Sequence, residues 1–172
     1  MNWKHVAPLI LIAPALAFAQ GKGPTDPQIA GIVVAANQID IDAGKIAKSK
    51  SKNKEVKAFA QQMITDHSAV NKQAGALAKK LGVTPEDSDT SKNLKQGATE
   101  NVANLKKLKN GAFDKAYVEH EVVYHQQVLD AIDKVLMPSA QNKELKDLIT
   151  KVRPAIATHL EHAKHLQASL GK

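Results

Sequence analysis

Residues 113–132 read FDKAYVEHEVVYHQQVLDAI, and this stretch decides the fold. Its apolar residues recur at spacings of three and four, which is the period of an α-helix that buries one side. At about 100° per residue they form a single stripe, which consists of Phe113, Tyr117, Val118, Val128, Leu129, Ile132 and, just beyond the stretch, Leu136. Asp114, Glu121 and His125 fall inside this stripe. The sequence therefore predicts a long helix that carries ionisable groups into a protein core.

Segments with the same period lie on both sides of this helix. They predict long helices over residues 27–49, 53–80, 111–136 and 142–170, and a shorter, lysine-rich helix over residues 90–108. Asp26 is the expected N-cap of the first helix, while Gly82 and Pro85 end the second. Pro138 ends the predicted helix of residues 111–136, and Pro154 is expected to bend the predicted helix of residues 142–170. No stretch alternates with period two for long enough to suggest a sheet.

Helices with one apolar stripe each are expected to bury those stripes against one another. The simplest arrangement is an antiparallel four-helix bundle that forms a single domain over residues 28–170. The shorter helix lies in the connection between the second and third long helices, and we expect it to cross over the end of the bundle. Residues 20–27 form a flexible lead-in.

The first 19 residues predict export. A basic start is followed by an uncharged apolar run from Val6 to Ala17 and by the small-x-small site Ala17-Phe18-Ala19, as in a cleavable signal peptide. The run is too short to span a bilayer. Because the chain has no cysteine, it has neither a lipid-anchored cysteine nor a disulfide. We therefore expect a periplasmic protein with no transmembrane segment in the mature chain.

The basic charge restricts the class of partner. Without Lys4, the mature chain has 23 basic and 17 acidic residues. Aromatic residues for base stacking amount to only 3%, and an exported protein rarely meets nucleic acid, so nucleic-acid binding is not expected. An anionic envelope component or an unidentified protein is the expected partner. The lysines cluster over residues 45–54 and 106–109.

The other long helices also place polar side chains within their apolar stripes. Asp40 falls inward in the first long helix, His67 in the second and His159 in the last. They add to the inward Glu121 and His125 of the third long helix. Other polar residues lie at the edge of a stripe or outside it; these are Asp66, His162, Asp42 and His165. Asp114 precedes Glu121 by two turns and is expected to lie apart from this group.

Inward Asp40, His67, Glu121, His125 and His159 must find partners, because burying an unpaired charge costs several kcal/mol. Imidazole and carboxylate groups from facing helices suit one transition-metal ion, for which copper, zinc and iron are candidates. A closed network of hydrogen bonds and ion pairs without metal would also satisfy them. The sequence leaves both arrangements open.

Three motifs resemble those of the domain of unknown function 4142 family, whose members are exported bacterial proteins. They are FAxxMxxDH at residues 59–67, GAFDxxY at residues 111–117 followed by His125, and Pro154 followed by His159-Leu160. The resemblance covers residues 28–170 and implies a ferritin-like four-helix fold. Di-iron proteins of that wider fold carry Glu-x-x-His on two helices, whereas Ile64 and Ile156 precede His67 and His159 here. A single metal, or none, therefore fits better than a di-iron centre.

The leading hypothesis is a periplasmic binding or envelope-stress protein with one metal site, rather than an enzyme. The alternative is a structural or interaction module without metal, which binds anionic envelope components through its basic surface. A metal-dependent oxidase would need open coordination positions. Nucleophilic catalysis and phosphate-binding loops find no support in the sequence.

The signal peptide leads to a first prediction. Cleavage between Ala19 and Gln20 should leave a mature protein that begins at Gln20, because the Ala-x-Ala site directly follows the apolar run. The intact mass of the protein recovered after export measures this directly. A mass that corresponds to a chain beginning at Met1 would contradict the prediction.

Overall fold

A computed structural model describes residues 23–171, and within them the chain is helical. The elements are α1 (Asp26–Lys50), α2 (Lys54–Leu81), α3 (Asp89–Lys107), α4 (Asn110–Ala131), a π-helical turn (Ile132–Leu136), α5 (Met137–Ser139) and α6 (Lys143–Leu170). No strand occurs in this part of the chain, so the all-helical prediction is confirmed. The predicted signal peptide, residues 1–19, lies outside the described residues.

The start of α1 differs from the prediction. Thr25 is the N-cap, because its hydroxyl accepts a hydrogen bond from the Gln28 N–H while the Gln28 side chain accepts one from the Thr25 N–H. Asp26 is instead the first helical residue. Its carboxylate accepts hydrogen bonds from the backbone N–H groups of Gln141 and Asn142, both at 2.9 Å. Asp26 therefore joins the start of α1 to the turn before α6.

The prediction that the helix of residues 111–136 ends before Pro138 is also wrong. After Ala131 the helix widens into the π-helical turn, in which the Met137 N–H donates to the Ile132 carbonyl, and it then continues through α5 to Ser139. Pro138 lies at the start of α5, directly after the π-helical turn. Pro154, in contrast, lies inside α6, which continues through it.

Two apolar clusters make up the core of the bundle. The first apolar cluster consists of Ala43, Ala47, Val56, Phe59, Ala60, Met63, Leu105, Phe113, Tyr117, Val118, Ala163 and Leu166. The second apolar cluster consists of Ile29, Ile32, Leu129, Ile132, Leu136, Ala140, Leu145, Ile149, Ile156 and Leu160. All four long helices contribute to both regions, with α2 reaching the second cluster through Leu77.

The order of these residues along the chain gives each helix its direction. Helices α1 and α6 run from the second apolar cluster to the first, whereas α2 and α4 run from the first to the second. Helix α1 packs on α2 and α4, and α6 packs on the same two helices. The four long helices thus surround a common core.

Helix α3 runs alongside this core. The prediction that it crosses over the end of the bundle is therefore wrong. Its Leu94 packs against the second apolar cluster, its Leu105 belongs to the first, and it contacts α1. The reason is that α2 ends at the second cluster while α4 begins at the first. The connection must therefore span the length of the bundle, and a helix of this size covers roughly 28 Å.

The linker before α3 folds back over the start of α1. Gly82 ends α2 in the left-handed conformation, with φ of 64°, and the Glu86 N–H donates to the Pro27 carbonyl at 2.9 Å. A Cβ atom on Gly31 would lie 2.0 Å from the Glu86 carbonyl oxygen, so this approach requires glycine. Among the helices of residues 23–171, none has the length and apolar character needed to cross a membrane.

Candidate metal site

The five inward polar residues lie between the two apolar clusters. Asp40 comes from α1, His67 from α2, Glu121 and His125 from α4, and His159 from α6; each is between 0 and 3% exposed. One potential ligand atom from each of His67, His125 and His159 lies within 4.8 Å of the other two, and the same holds for Asp40, Glu121 and His125. The structure thus brings all five together in two groups that share His125.

We call His67, His125 and His159 the histidine group. Each of their imidazole rings makes a hydrogen bond through one ring nitrogen. His67 Nδ1 lies 2.7 Å from Asn37 Oδ1, while the Asn37 amide nitrogen donates to the Val33 carbonyl. His125 Nδ1 lies 3.0 Å from the backbone carbonyl of Glu121. His159 Nε2 lies 2.9 Å from Asp66 Oδ2.

These contacts fix which nitrogen carries the proton. A carbonyl, an amide oxygen and a carboxylate only accept, so each of these ring nitrogens donates. The other nitrogens, His67 Nε2, His125 Nε2 and His159 Nδ1, are buried and have no hydrogen-bond partner among the described residues. A ring that donates through one nitrogen and leaves the other for an ion, once any proton on it is lost, has the arrangement of a metal-binding histidine.

The carboxylates complete the group on the other side of His125. Both Glu121 oxygens are buried without a hydrogen-bond partner among residues 23–171. Glu121 Oε2 lies 3.3 Å from His125 Nδ1, but that nitrogen already donates to the Glu121 carbonyl. Asp40 Oδ2 lies 3.5 Å from His67 Nε2. Two carboxylates are therefore available to a cation bound by the histidines.

Burial and neighbouring charge set the protonation of the metal-free group. Burial, aided by the charges of His125 and His159, lowers the pKa of His67 to about 2. Burial likewise lowers the pKa of His159. For His125, burial acts to lower the pKa, but the charge of Asp40 and hydrogen bonding to Glu121 outweigh it and raise the pKa to about 9. Burial raises the pKa of Asp40 well above its ordinary value.

Two tyrosines flank the carboxylates. The Tyr124 hydroxyl donates to the Ala36 carbonyl at 3.1 Å, whereas the buried Tyr117 hydroxyl has no partner among the described residues. Burial, together with the charges of Glu121 and Asp40, raises the pKa of both phenols, so both keep their protons.

An apolar cavity of about 60 Å³ adjoins the group on the side of the second apolar cluster. Asn37, Asp40 and His67 belong to the polar part of its wall, while side chains such as Leu94 and Ile149 form the apolar part. A small molecule in this cavity would contact two of the candidate ligands.

The helical phases predicted from the sequence are confirmed. His67 and His159 are buried, while Asp42 and His165 are exposed. Asp114 is buried but belongs to neither group of candidate ligands among the described residues.

Asn37 and Asp66 were not among the predicted site residues. Asn37 lies one turn before Asp40 on the same face of α1, and this spacing could have revealed it. Asp66 is 42% exposed and at the edge of its stripe, so its contact with His159 depends on how α2 and α6 pack.

The protonation states predict how the stability of the metal-free protein depends on pH. His67 has an ordinary pKa of 6.5, so below that pH only the unfolded chain takes up its proton, and the free energy of unfolding should fall towards acid pH. The raised pKa of His125 stabilises the fold below pH 6.5, and this contribution should be lost as the pH rises towards 9. Urea unfolding in the presence of a chelator measures both effects.

The alkaline decline should be reduced in His125→Gln and retained in His165→Gln, since His165 is exposed. An identical decline between pH 6.5 and 9 in all three proteins would contradict the assignment to His125.

Comparison with known proteins gives a family but no characterised relative. No curated protein and no solved structure matches the chain. A family model described as Domain of unknown function (DUF4142) matches residues 13–166, which include all five candidate ligands. The match begins within the predicted signal peptide, in residues that the structure does not describe. Since the model covers most of the sequence, the chain belongs to the family described as Domain of unknown function (DUF4142).

Proposed function

We propose that the protein binds one transition-metal ion through His67, His125 and His159. Two observations carry this proposal: each of the three histidines has one ring nitrogen within 4.8 Å of one from each of the others, and each has a buried ring nitrogen without a hydrogen-bond partner among the described residues. A closed network without metal would pair these nitrogens with donors. Leaving them unpaired costs free energy, and a metal ion would remove that cost.

The donor set suits a transition metal rather than calcium or magnesium. Neutral imidazoles suit zinc, copper and iron, whereas calcium and magnesium prefer oxygen ligands. Tetrahedral ligands at 2.0–2.1 Å from an ion lie about 3.3 Å apart. One ring nitrogen of each histidine lies within 4.8 Å of one from each of the other two, so small side-chain rotations would bring three nitrogens to that spacing.

Asp40 and Glu121 are proposed to balance the charge of the ion or to supply its fourth ligand. Their oxygens lie within 4.8 Å of an atom of His125, so they border the histidine group directly. Metal binding would release the proton that His125 holds below about pH 9 in the metal-free protein. The site would therefore take up metal more strongly as the pH rises.

We further propose a ferritin-like arrangement of the four long helices. The directions of α1, α2, α4 and α6, with α3 connecting opposite ends of the bundle, support it. Ile64 and Ile156 occupy the positions of the glutamates in a Glu-x-x-His pair, so the proposal is a single-metal protein and not a di-iron oxidase or an iron store.

The proposed location is the periplasm, reached through the signal peptide at residues 1–19. In that compartment, a bundle that holds one metal ion would serve in metal binding or in protection of the envelope against stress. The sequence features that support this location are the basic start, the uncharged apolar run and the Ala-x-Ala site.

The proposed function predicts that metal raises the melting temperature. Only the folded state assembles the three histidines, so metal at about 100 times its dissociation constant should stabilise the protein by about 2.7 kcal/mol. For a domain of this size, that corresponds to a rise of roughly 5–10 °C. Zinc, copper and iron(II) are each added to chelator-treated protein, and melting is followed by circular dichroism.

The rise should disappear in His125→Ala and persist in His165→Ala, which removes an exposed histidine of α6. If none of the three metals shifts the melting of the wild-type protein, or if His125→Ala keeps the full shift, the protein is not a metal-binding protein of this kind.

The residue behind His159 gives a second prediction. Asp66→Ala removes the acceptor of the His159 Nε2 proton without removing a ligand, so metal affinity should fall about 10- to 100-fold. Because Asp66 is partly exposed, this variant should remain folded. Competition with a chelator of known affinity measures the change. Asp42→Ala, at an exposed aspartate of α1, serves as the control, and equal affinity in the two variants would contradict the role of Asp66.

A further inference from the structure

Two lysine-rich segments of the sequence meet at one end of the bundle. Residues 48–57 comprise the end of α1, the turn after it and the start of α2, and residues 104–112 comprise the end of α3, the turn after it and the start of α4. Lys50 joins them, because its Nζ donates to the backbone carbonyls of Leu105 at 2.9 Å and of Lys106 at 2.8 Å. We call the surface formed by these two segments the basic end.

The basic end accounts for the entire net charge of the chain. Its two segments contain eight lysines and one acidic residue, Glu55. The rest of the chain contains 16 lysine and arginine residues and 16 aspartate and glutamate residues. Among the described residues, positive charge is therefore concentrated at the basic end.

The lysines of the basic end face solvent without a carboxylate partner. Seven of them are exposed: Lys48, Lys52, Lys54, Lys57, Lys106, Lys107 and Lys109. None of these seven takes part in an ion pair among the described residues. Many lysines elsewhere do so, namely Lys45, Lys80, Lys95, Lys115, Lys134, Lys143 and Lys164. The positive field of the basic end is thus not neutralised by the protein.

We propose that the basic end binds the surface of a bilayer that contains anionic phospholipid. The segments contain lysine but no arginine; Arg153, in α6, pairs with Asp133 instead. Lysine is a flexible point charge without the fork that recognises one phosphate in a fixed geometry, so this surface suits a diffuse layer of headgroups.

The binding is electrostatic, without insertion into the bilayer. Val123, in the middle of α4, is the exposed large apolar residue of the described chain, and the basic end presents none. Adsorption of this kind depends on the headgroup charge and weakens steeply with salt.

This inference goes beyond the proposed metal site and does not depend on it. The basic end and the histidine group share no residue, and the histidines lie inside the core. A protein that fails to bind metal would still bind the membrane surface, so the two proposals fail separately.

The test uses two triple variants with the same change of charge. Lys52→Gln, Lys57→Gln and Lys107→Gln remove charges from the basic end, while Lys72→Gln, Lys79→Gln and Lys92→Gln remove exposed, unpaired charges elsewhere in the described chain. Lys50 is left intact because it holds the two segments together. Sedimentation with vesicles of phosphatidylglycerol and phosphatidylcholine measures binding, and both variants share any contribution from residues 1–22.

Each lysine near an anionic surface contributes about 1 kcal/mol, so the first triple variant should bind these vesicles about 100-fold more weakly and the second nearly as well as the wild type. Binding should be absent on phosphatidylcholine alone and should be lost at about 0.5 M salt. Equal weakening in both variants, or salt-resistant binding to neutral vesicles, would overturn the proposal. Binding to soluble polyphosphate but not to the vesicles would identify a polyanion as the partner and would also overturn it.

Discussion

The structure depends on excluding water from five ionisable side chains in the middle of a helical bundle. An apolar cluster packs on each side of them, so water does not solvate His67, Glu121 or His125. The hydrogen bonds behind the three imidazoles fix the orientation of each ring but satisfy only half of it. The ring nitrogens that lack a hydrogen-bond partner make the centre of the bundle chemically distinctive, since packing alone favours an apolar residue at each of these positions.

The angular positions of the site residues could be predicted from the sequence, because they follow from the period of the helix alone. His67 and His159 are buried for the same reason that Phe59 and Leu160 are. The level of each residue along the bundle could not be predicted, since it depends on how far the helices slide past one another. For this reason the sequence predicts that Asp40 and Glu121 face inward, but it does not predict that both border His125.

The errors have specific physical causes. Thr25 caps α1 because the capping box with Gln28 competes with Asp26, whose carboxylate is used at the other end of the chain. Pro138 does not stop its helix, because the helix widens into a π-helical turn directly before the proline and continues to Ser139. Helix α3 has the length of the bundle and so runs beside it, a result that depends on helix directions and not on any local pattern. Asn37 is uncharged, and a search for buried charge passes over it.

The histidine group is assembled from distant parts of the chain. Its first member, His67, and its last, His159, are separated by most of the domain, and His159 lies in the second half of α6. During synthesis, the group therefore cannot form until nearly the whole domain has left the ribosome. A chain that ends before His159, or that has not yet folded, presents isolated histidines. Assembly of the histidine group therefore requires a folded chain that is complete through His159.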